Sequence, residues 1–185
     1  YICRKTGIVM RSLQPKKILV INLMHIGDLL LVTPILRTLR TQFPQAHIAL
    51  LADKKLQDLV KNNQNINELI TIDKKGQDDG FWPYLRFAWK LRQRRFDWVI
   101  NLHQNERASF LAAFSGAKTI VGYATAVLRH CFTKYMLNRK AEKHQIESHF
   151  DVLRELLGVT ERDDQGLEIW LDAGAKEDGA VIWQR

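Results

Sequence analysis

Cysteine is scarce in this chain of 185 residues, which contains only Cys3 and Cys131. A small disulfide-stabilised protein is therefore excluded, and reduced thiols are expected. The sequence also has no uncharged apolar run that approaches the about 18 residues of a membrane-spanning helix. Residues 1–10 lack the apolar core and the cleavage site of a secretory signal. Together these absences predict a cytoplasmic protein.

Metal and nucleotide motifs are missing as well. There is no CxxC or HExxH pair, and the spacing of His144 and His149 does not put both on one helix face. We therefore predict no protein-bound metal and no cofactor. The glycine-rich cradles G-x-G-x-x-G and G-x-x-x-x-G-K-[ST] are also absent, so a dinucleotide-binding or P-loop interpretation has little support.

What is present is an ordinary globular composition with a positive charge balance. Hydrophobic residues make up 46% of the chain and charged residues 26%, which excludes disordered and collagen-like classes. The length suffices for one domain with a sizeable core. A formal net charge of +8 favours an anionic partner, which could be a phosphorylated glycolipid, a bilayer surface or nucleic acid.

Short apolar runs alternate with helical patterns along the chain. The predicted strands are residues 18–21, 47–51, 69–72, 98–102 and a fifth within 116–123. Helices are predicted for residues 55–61, 81–96, 108–114 and 146–157, in addition to one that follows the first strand. This alternation with short connections predicts an α/β fold with a doubly wound parallel sheet.

The stretch from Lys16 to Arg40 organises the rest of the chain. Its β-branched run is followed by Gly27-Asp28 and then by apolar residues three or four apart, which indicate a helix. Thr33-Pro34 could also begin a helix, but we favour one helix that is kinked at Pro34. The Gly-Asp pair then lies at the carboxyl end of a buried strand, where open α/β sheets bind ligands.

Asp28 has two interpretations. An Asp at the start of a helix is most often an N-cap that accepts a backbone N–H. The alternative is a carboxylate that projects into the crevice and removes a proton from an attacking hydroxyl group as a general base. His25, one helical turn earlier, has two interpretations as well: it is an ordinary hydrogen-bonded neighbour, or it orients Asp28 or contacts a sugar or phosphate.

Two segments carry a resemblance to a known family. Residues 26–34, IGDLLLVTP, closely resemble the N-terminal signature of the lipopolysaccharide heptosyltransferases, glycosyltransferase family 9. Residues 97–123 resemble the second signature of that family, in the same order and with similar spacing. The resemblance covers residues 16–171. It implies a Rossmann-like sheet, the N-terminal domain of a GT-B glycosyltransferase, with Asp28 as the catalytic base.

The resemblance also implies substrates and binding residues. The reaction would transfer heptose from ADP-heptose to the lipopolysaccharide inner core with inversion and without a metal. The residues expected to bind the acceptor are His25, Gly27, Gln104, Asn105 and Arg107, with His103 beside them. A C-terminal domain would bind the nucleotide sugar, so this chain would be the acceptor-binding half and inactive alone.

The resemblance leaves the two ends of the chain outside this domain. Residues 1–15 are expected to be a basic, disordered leader, and residues 172–185 the start of a linker to the donor domain. Contact with the cytoplasmic face of the inner membrane is expected, and nucleic acid is not an expected partner.

Two basic segments bear on that membrane contact. Residues 81–96 have Trp82, Leu85, Trp89 and Phe96 on one side and mostly Arg and Lys on the other, and residues 129–143 are also basic. They are either solvated faces or surfaces for anionic headgroups or a phosphorylated oligosaccharide. Two hypotheses from other classes stay open: a basic nucleic-acid or membrane-surface binding module without catalysis, and a nucleotide-binding enzyme of another type.

Overall fold

A computed structural model describes residues 14–123, 127–136, 144–163, 165–170 and 174. Its centre is one parallel sheet in the order β3-β2-β1-β4-β5-β6. The strands are β1 (Lys17–Ile21), β2 (His47–Asp53), β3 (Glu68–Ile72), β4 (Trp98–Asn101), β5 (Thr119–Tyr123) and β6 (Lys134–Met136). The sheet confirms the predicted α/β, doubly wound fold, and β6 is a strand that the sequence patterns did not predict.

Helices alternate with these strands. They are α1 (Ile26–Leu30), α2 (Thr33–Gln42), α3 (Gln57–Val60), α4 (Phe81–Gln93), α5 (Glu106–Phe114) and α6 (Gln145–Asp151). A 3₁₀ turn precedes α3, and a π-helical turn at Val152–Leu157 continues α6 until Gly158, whose φ of 75° ends the helix in the left-handed region. Within the described residues, none of these helices is long and apolar enough to cross a membrane.

The alternation of β1 side chains builds two cores. Ile18 and Val20 pack on one face of the sheet with α2, α3 and α6, while Leu19 and Ile21 pack on the other face with α4 and α5. All four side chains are fully buried. Successive strand residues point to opposite faces, so a strand covered on both sides must be apolar throughout. The β-branched run was predicted on this ground, and the structure confirms it.

The single kinked helix predicted after Gly27 is wrong. The structure has two helices, α1 and α2, separated at Leu31 and Val32. The Thr33 hydroxyl donates to the Leu30 carbonyl oxygen at 2.8 Å, and Pro34 lies in the first turn of α2. Proline has no backbone N–H to donate, but the first turn of a helix does not need that donor. Pro34 therefore begins a new helix here instead of bending an existing one.

The predicted helix over residues 81–96 is confirmed over Phe81–Gln93. Its periodicity did not decide which side of the helix is buried. Ala88 and Leu91 are the residues of α4 that the sheet buries. Trp82 and Trp89 share a side of the helix, but that side is exposed to solvent. Phe96 lies beyond the end of the helix and is buried in the core.

The acidic segment that follows Gly158 packs on α2. The Arg37 guanidinium forms ion pairs with Asp163 and Glu168 and donates to the Gly166 carbonyl oxygen at 2.8 Å. The Glu168 backbone N–H donates to the Thr33 hydroxyl at 3.0 Å. This acidic segment thus provides the carboxylates that pair with the largely buried Arg37.

Some predictions fall outside the described residues. These are most of the basic leader at residues 1–15, part of the basic segment 129–143 and nearly all of the linker start at 172–185.

Candidate functional site

The strand order creates a crevice between β1 and β4. The chain runs from β1 outward to β2 and β3 on one side, and from β4 outward to β5 and β6 on the other. The helices that follow the two central strands lie on opposite faces of the sheet, because α2 belongs to one core and α5 to the other. In open α/β sheets such a switch point is where ligands bind, outside the carboxyl ends of the strands.

The turn after β1 is shaped by a buried asparagine. Asn22 is 1% exposed, its Nδ2 donates to the Asp28 backbone oxygen at 3.3 Å, and its Oδ1 accepts from the Met24 N–H at 3.0 Å. These bonds hold both ends of the turn that carries His25 and Gly27. Gly27 faces open space, since a Cβ built there has no atom within 4 Å.

Asp28 is not the N-cap of its helix, so that interpretation of the residue is wrong. His25 occupies the N-cap position with extended backbone angles, and Asp28 lies in the first turn of α1. The Asp28 residue is half-buried, and among the described residues no hydrogen bond to its carboxylate is formed. The carboxylate is therefore available to a ligand in the crevice.

The turn after β4 has the same construction as the turn after β1. Asn101 is fully buried, and its Oδ1 accepts from the His103 N–H at 3.2 Å. Asn105 is the N-cap of α5, with its Oδ1 accepting from the Ala108 N–H at 2.8 Å. Gln104 lies half-buried between them. The capping bond fixes Asn105 while its Nδ2 points away from that bond.

Arg107 lies at the edge of the site. Its exposed guanidinium is 3.7 Å from the Asp79 carboxylate and 5.9 Å from the centre of the Tyr84 ring. Its backbone oxygen accepts a hydrogen bond of 2.5 Å from the Tyr84 hydroxyl. Arg107 therefore links the start of α5 to α4 and the loop before it, and its contact with an acceptor stays a prediction.

His103 brings the two turns into electrostatic contact. Burial, with smaller effects of the positive charges of Lys74 and His25, lowers the pKa of His103 to about 4, while the Asp28 charge acts in the opposite direction. The ring is thus neutral near pH 7, and its buried Nδ1 has no hydrogen-bond partner among the described residues. A neutral imidazole beside a carboxylate can donate to or accept from a sugar hydroxyl group.

Sequence reasoning missed Lys74, which lies in the loop between β3 and α4. The Lys74 ammonium donates to the Leu23 carbonyl oxygen at 2.8 Å and is 2.9 Å from the Asp53 carboxylate. Burial raises the pKa of Asp53, but the hydrogen bonds from Lys74 and from the Lys55 N–H outweigh it and leave that pKa below its ordinary value. A position directly after β3, at the same sheet edge as Asp28, was the signal that could have identified Lys74.

The structure also brings His149 near Asp28. The side chain is fully buried, and its Nδ1 lies 2.7 Å from the Tyr123 hydroxyl. Its Nε2 is buried without a partner among the described residues. Burial lowers the pKa of His149 to about 4, with the Asp28 charge acting in the opposite direction. Asp28 therefore has neutral histidines from both β4–α5 and α6 in its surroundings.

The predicted site residues form two groups at one sheet edge. His25, Gly27 and Asp28 belong to the β1–α1 turn. Gln104, Asn105 and Arg107 belong to the β4–α5 turn and the start of its helix. A half-buried carboxylate with neutral imidazoles and one ammonium nearby can bind a polar, hydroxyl-bearing ligand and accept a proton from it.

Solved structures of two transferases share this fold. A structure of a family 9 glycosyl transferase from Veillonella parvula DSM 2008 has a TM-score of 0.83 and 35% identity, over 91% of this chain and 49% of that one. The Escherichia coli ADP-heptose lps heptosyltransferase II has a TM-score of 0.69 and 19% identity, over 90% of this chain and 50% of that one. The fold is thus that of heptosyltransferases of the GT-B type.

Sequence comparisons agree with the structural ones. Lipopolysaccharide heptosyltransferase 3 of Escherichia coli (strain K12) is 29% identical over 140 residues, which are 73% of this chain and 40% of that protein. The chain therefore spans half or less of the length of these relatives. The family model for glycosyltransferase family 9 (heptosyltransferase) matches residues 84–183, just over half of the chain. On this match, the chain belongs to glycosyltransferase family 9, the heptosyltransferases.

Proposed function

We propose that this chain is the acceptor-binding half of an inverting heptosyltransferase that transfers heptose from ADP-heptose to the lipopolysaccharide inner core. The observation that carries the proposal is that the β1–α1 and β4–α5 turns follow the two central strands at the switch point, where the Asp28 carboxylate forms no hydrogen bond with the described residues. The names of two relatives supply the substrate class, since one is a lipopolysaccharide heptosyltransferase and the other an ADP-heptose lps heptosyltransferase.

In this proposal Asp28 is the general base. Its carboxylate accepts the proton of an acceptor hydroxyl group as that oxygen bonds to the anomeric carbon of heptose. The bond between that carbon and the ADP oxygen breaks, and ADP leaves with the electron pair from the opposite face, which inverts the configuration. A base in hydrogen-bond reach contributes on the order of 100-fold to 10,000-fold to such a rate.

The residues proposed to bind the acceptor surround that carboxylate. They are His25, Gly27, Gln104, Asn105 and Arg107. Lys74 is held at the same edge by Leu23 and Asp53, and because Asp53 offsets its charge it offers the acceptor its remaining N–H donor. The neutral His103 ring adds a polar group without a competing charge.

The donor is proposed to bind a second domain. Residues 172–185 would begin the linker to it, and this chain spans about half of the solved relatives. We therefore expect no transfer by this chain alone. Because the acceptor is a lipid, the proposal includes peripheral contact with the cytoplasmic face of the inner membrane and no nucleic-acid partner.

A titration of the isotope-labelled chain tests the acceptor site. A water-soluble, phosphorylated inner-core oligosaccharide should produce saturable amide shifts at residues 25–28 and 103–107, and ADP-heptose should produce little response. No saturable shift at either turn with the oligosaccharide would contradict the proposal. Tight binding of ADP-heptose instead would favour a nucleotide-binding enzyme of another type.

The role of Asp28 needs a complete enzyme, made by joining this chain to the C-terminal half of a family 9 transferase. Asp28→Asn should lower kcat by about 100-fold to 10,000-fold while acceptor binding changes little. Asp58→Asn is the matched control, because Asp58 is exposed on α3, away from the crevice. Equal rates for the two variants would exclude Asp28 as the base.

The nucleic-acid alternative makes a different prediction. A basic binding module would bind plain DNA with a steep dependence on salt, and Asp28→Ala would leave that binding unchanged. Several cations of this chain already form ion pairs within the fold, including Arg37 with two acids and Arg94 with Glu68. This internal pairing lowers the charge that is available to a polyanion.

A further inference from the structure

Helix α4 turns large aromatic side chains toward solvent. Phe81 is 72% exposed, Trp82 75% and Trp89 53%. The small Ala88 and the aliphatic Leu91 form its buried side. Exposed apolar side chains that are grouped on one surface of a folded protein mark an interaction site more often than single ones do.

These side chains line a groove that α5 completes. The groove has a volume of about 450 Å³ and is lined by Trp82, Leu85, Arg86, Trp89 and Phe114. We call these five residues the aromatic groove. Phe114 is fixed by stacking on Phe110, with ring centres 5.6 Å apart, and by Arg92, which lies 5.6 Å from its ring centre. The groove therefore has a rigid floor on a folded helix pair.

The charge around the aromatic groove has one sign. Helix α4 contains Arg86, Lys90 and Arg92 and no acidic residue. Arg92 donates to the Phe114 carbonyl oxygen at 3.0 Å, which occupies part of its guanidinium. In the described part of the chain, Arg86 and Lys90 are exposed and form no ion pair, so their charges are available to an external partner.

An anionic bilayer surface matches this combination. Tryptophan is enriched at the boundary between headgroups and acyl chains because its ring is apolar and its N–H is polar. Helices that lie in this boundary carry aromatic and aliphatic residues on one face and Lys or Arg beside it. Each Lys or Arg near anionic lipid strengthens binding about fivefold. Aromatic rings beside cations can also stack the bases of a single strand, so single-stranded DNA is the alternative occupant in the test below.

The groove is also coupled to the crevice. Helix α4 begins at the end of the loop that contains Lys74, and the Tyr84 hydroxyl on α4 donates to the Arg107 oxygen at 2.5 Å. A bilayer on α4 would therefore lie beside the carboxyl edge of the sheet. A lipid-anchored acceptor could enter the crevice from that bilayer without leaving it.

We propose that the aromatic groove, with Arg86 and Lys90, is an interfacial docking surface for a bilayer that contains anionic lipid. This inference names the membrane partner of the proposed function and rests on it. The surface itself needs neither the acceptor nor the donor domain, so it can be tested with this chain.

Vesicles of phosphatidylcholine with and without phosphatidylglycerol provide the test. The chain should float with vesicles that contain phosphatidylglycerol, and lipids brominated in the acyl chain should quench its tryptophan fluorescence. Trp82→Ala/Trp89→Ala should weaken partitioning about tenfold or more, since each ring loses its buried apolar area. Arg86→Glu/Lys90→Glu should weaken it by about 25-fold or more and remove the dependence on phosphatidylglycerol.

Matched controls lie on the opposite face of the sheet. Leu167→Ala/Ile169→Ala removes two apolar side chains that are 51% and 50% exposed. Lys55→Glu/Lys61→Glu reverses two exposed charges near α3. Both controls should partition like the parent chain, and all four variants should keep its circular dichroism spectrum because the altered side chains are exposed.

Three results would overturn the inference. The parent chain could fail to bind vesicles with phosphatidylglycerol, or the tryptophan variant could bind as well as the parent. Binding of single-stranded DNA that requires Trp82 and Trp89, without vesicle binding, would assign the groove to nucleic acid. Titration with the water-soluble oligosaccharide distinguishes this failure from failure of the proposed function, because that ligand reaches the crevice without a membrane.

Discussion

The buried pair of His149 and Tyr123 predicts how the stability of this chain depends on pH. His149 is fully buried, and burial lowers its pKa from 6.5 to about 4. Below about pH 6.5 the unfolded chain therefore binds a proton that the folded chain excludes. The stability that comes from the neutral ring is fully present above the unfolded pKa and is lost as the pH falls from about 6.5 to about 4.

The size of the loss follows from the difference in pKa. The difference between 6.5 and about 4 corresponds to about 3 kcal/mol of unfolding free energy over the whole window. By about pH 5, which is about 1.5 pH units below the unfolded pKa, the loss should reach about 2 kcal/mol. His103 adds a smaller loss of the same sign, because its ring is partly exposed.

Urea denaturation at about pH 7.5 and about pH 5 measures this loss. The variant is Tyr123→Phe/His149→Phe, which removes both partners of the 2.7 Å hydrogen bond and leaves neither polar group buried alone. Between the two pH values the parent chain should lose about 2 kcal/mol more than the double variant. All other groups titrate in both proteins, so the difference isolates His149.

Single variants complete the cycle. Tyr123→Phe alone leaves the His149 Nδ1 without its partner and should cost about 1 to 3 kcal/mol at pH 7.5. His25→Gln is the control, because His25 is exposed and its side chain forms no capping bond. It should follow the pH dependence of the parent chain. If the double variant loses as much stability as the parent between the two pH values, the buried, neutral state of His149 is refuted.

Three further variants test the fold and the site. Gly122→Ala should lower the unfolding free energy by about 3 kcal/mol in urea, because a Cβ there lies 2.4 Å from the Asn101 backbone oxygen. Gly27→Ala, whose methyl group meets open space, should leave stability unchanged or raise it by up to about 1 kcal/mol. It should nevertheless weaken the amide shifts that the soluble oligosaccharide produces, and unchanged shifts would remove Gly27 from the acceptor site. Arg37→Met should lower the unfolding free energy by about 2 to 3 kcal/mol and expose residues 161–170 to proteolysis, because Asp163 is 11% exposed and would lose its partner. Arg37→Lys keeps the positive charge and should lower the unfolding free energy less.

The elements that depend on local pattern were predictable. The run from Ile18 to Ile21 had to be a strand buried on both faces, since it has no polar side to turn to water. The helix predicted over residues 146–157 ends at that boundary, because the left-handed φ of Gly158 stops it. The family resemblance of residues 26–34 directed attention to the correct turn, although the helix after it was wrongly joined across Thr33.

The orientation of α4 was not predictable from its period. An apolar stripe at Trp82, Leu85 and Trp89 is typical of a core-facing helix side. The sheet instead buries the side with Ala88 and Leu91, against which Tyr84 and Phe87 also pack. Which side of a helix is covered depends on the neighbours that the topology provides, and no local spacing contains that information.

The alternation of strands and helices, the turn that carries Asp28 and the family resemblance could all be derived from the order of the residues. The surroundings of that carboxylate could not, because they depend on how the chain folds. Lys74 and His149 are distant from Asp28 along the chain, and the order of the parallel strands brings their segments to one sheet edge. Periodicity acts over a few residues, whereas the crevice is formed by strand ends that meet across the whole sheet.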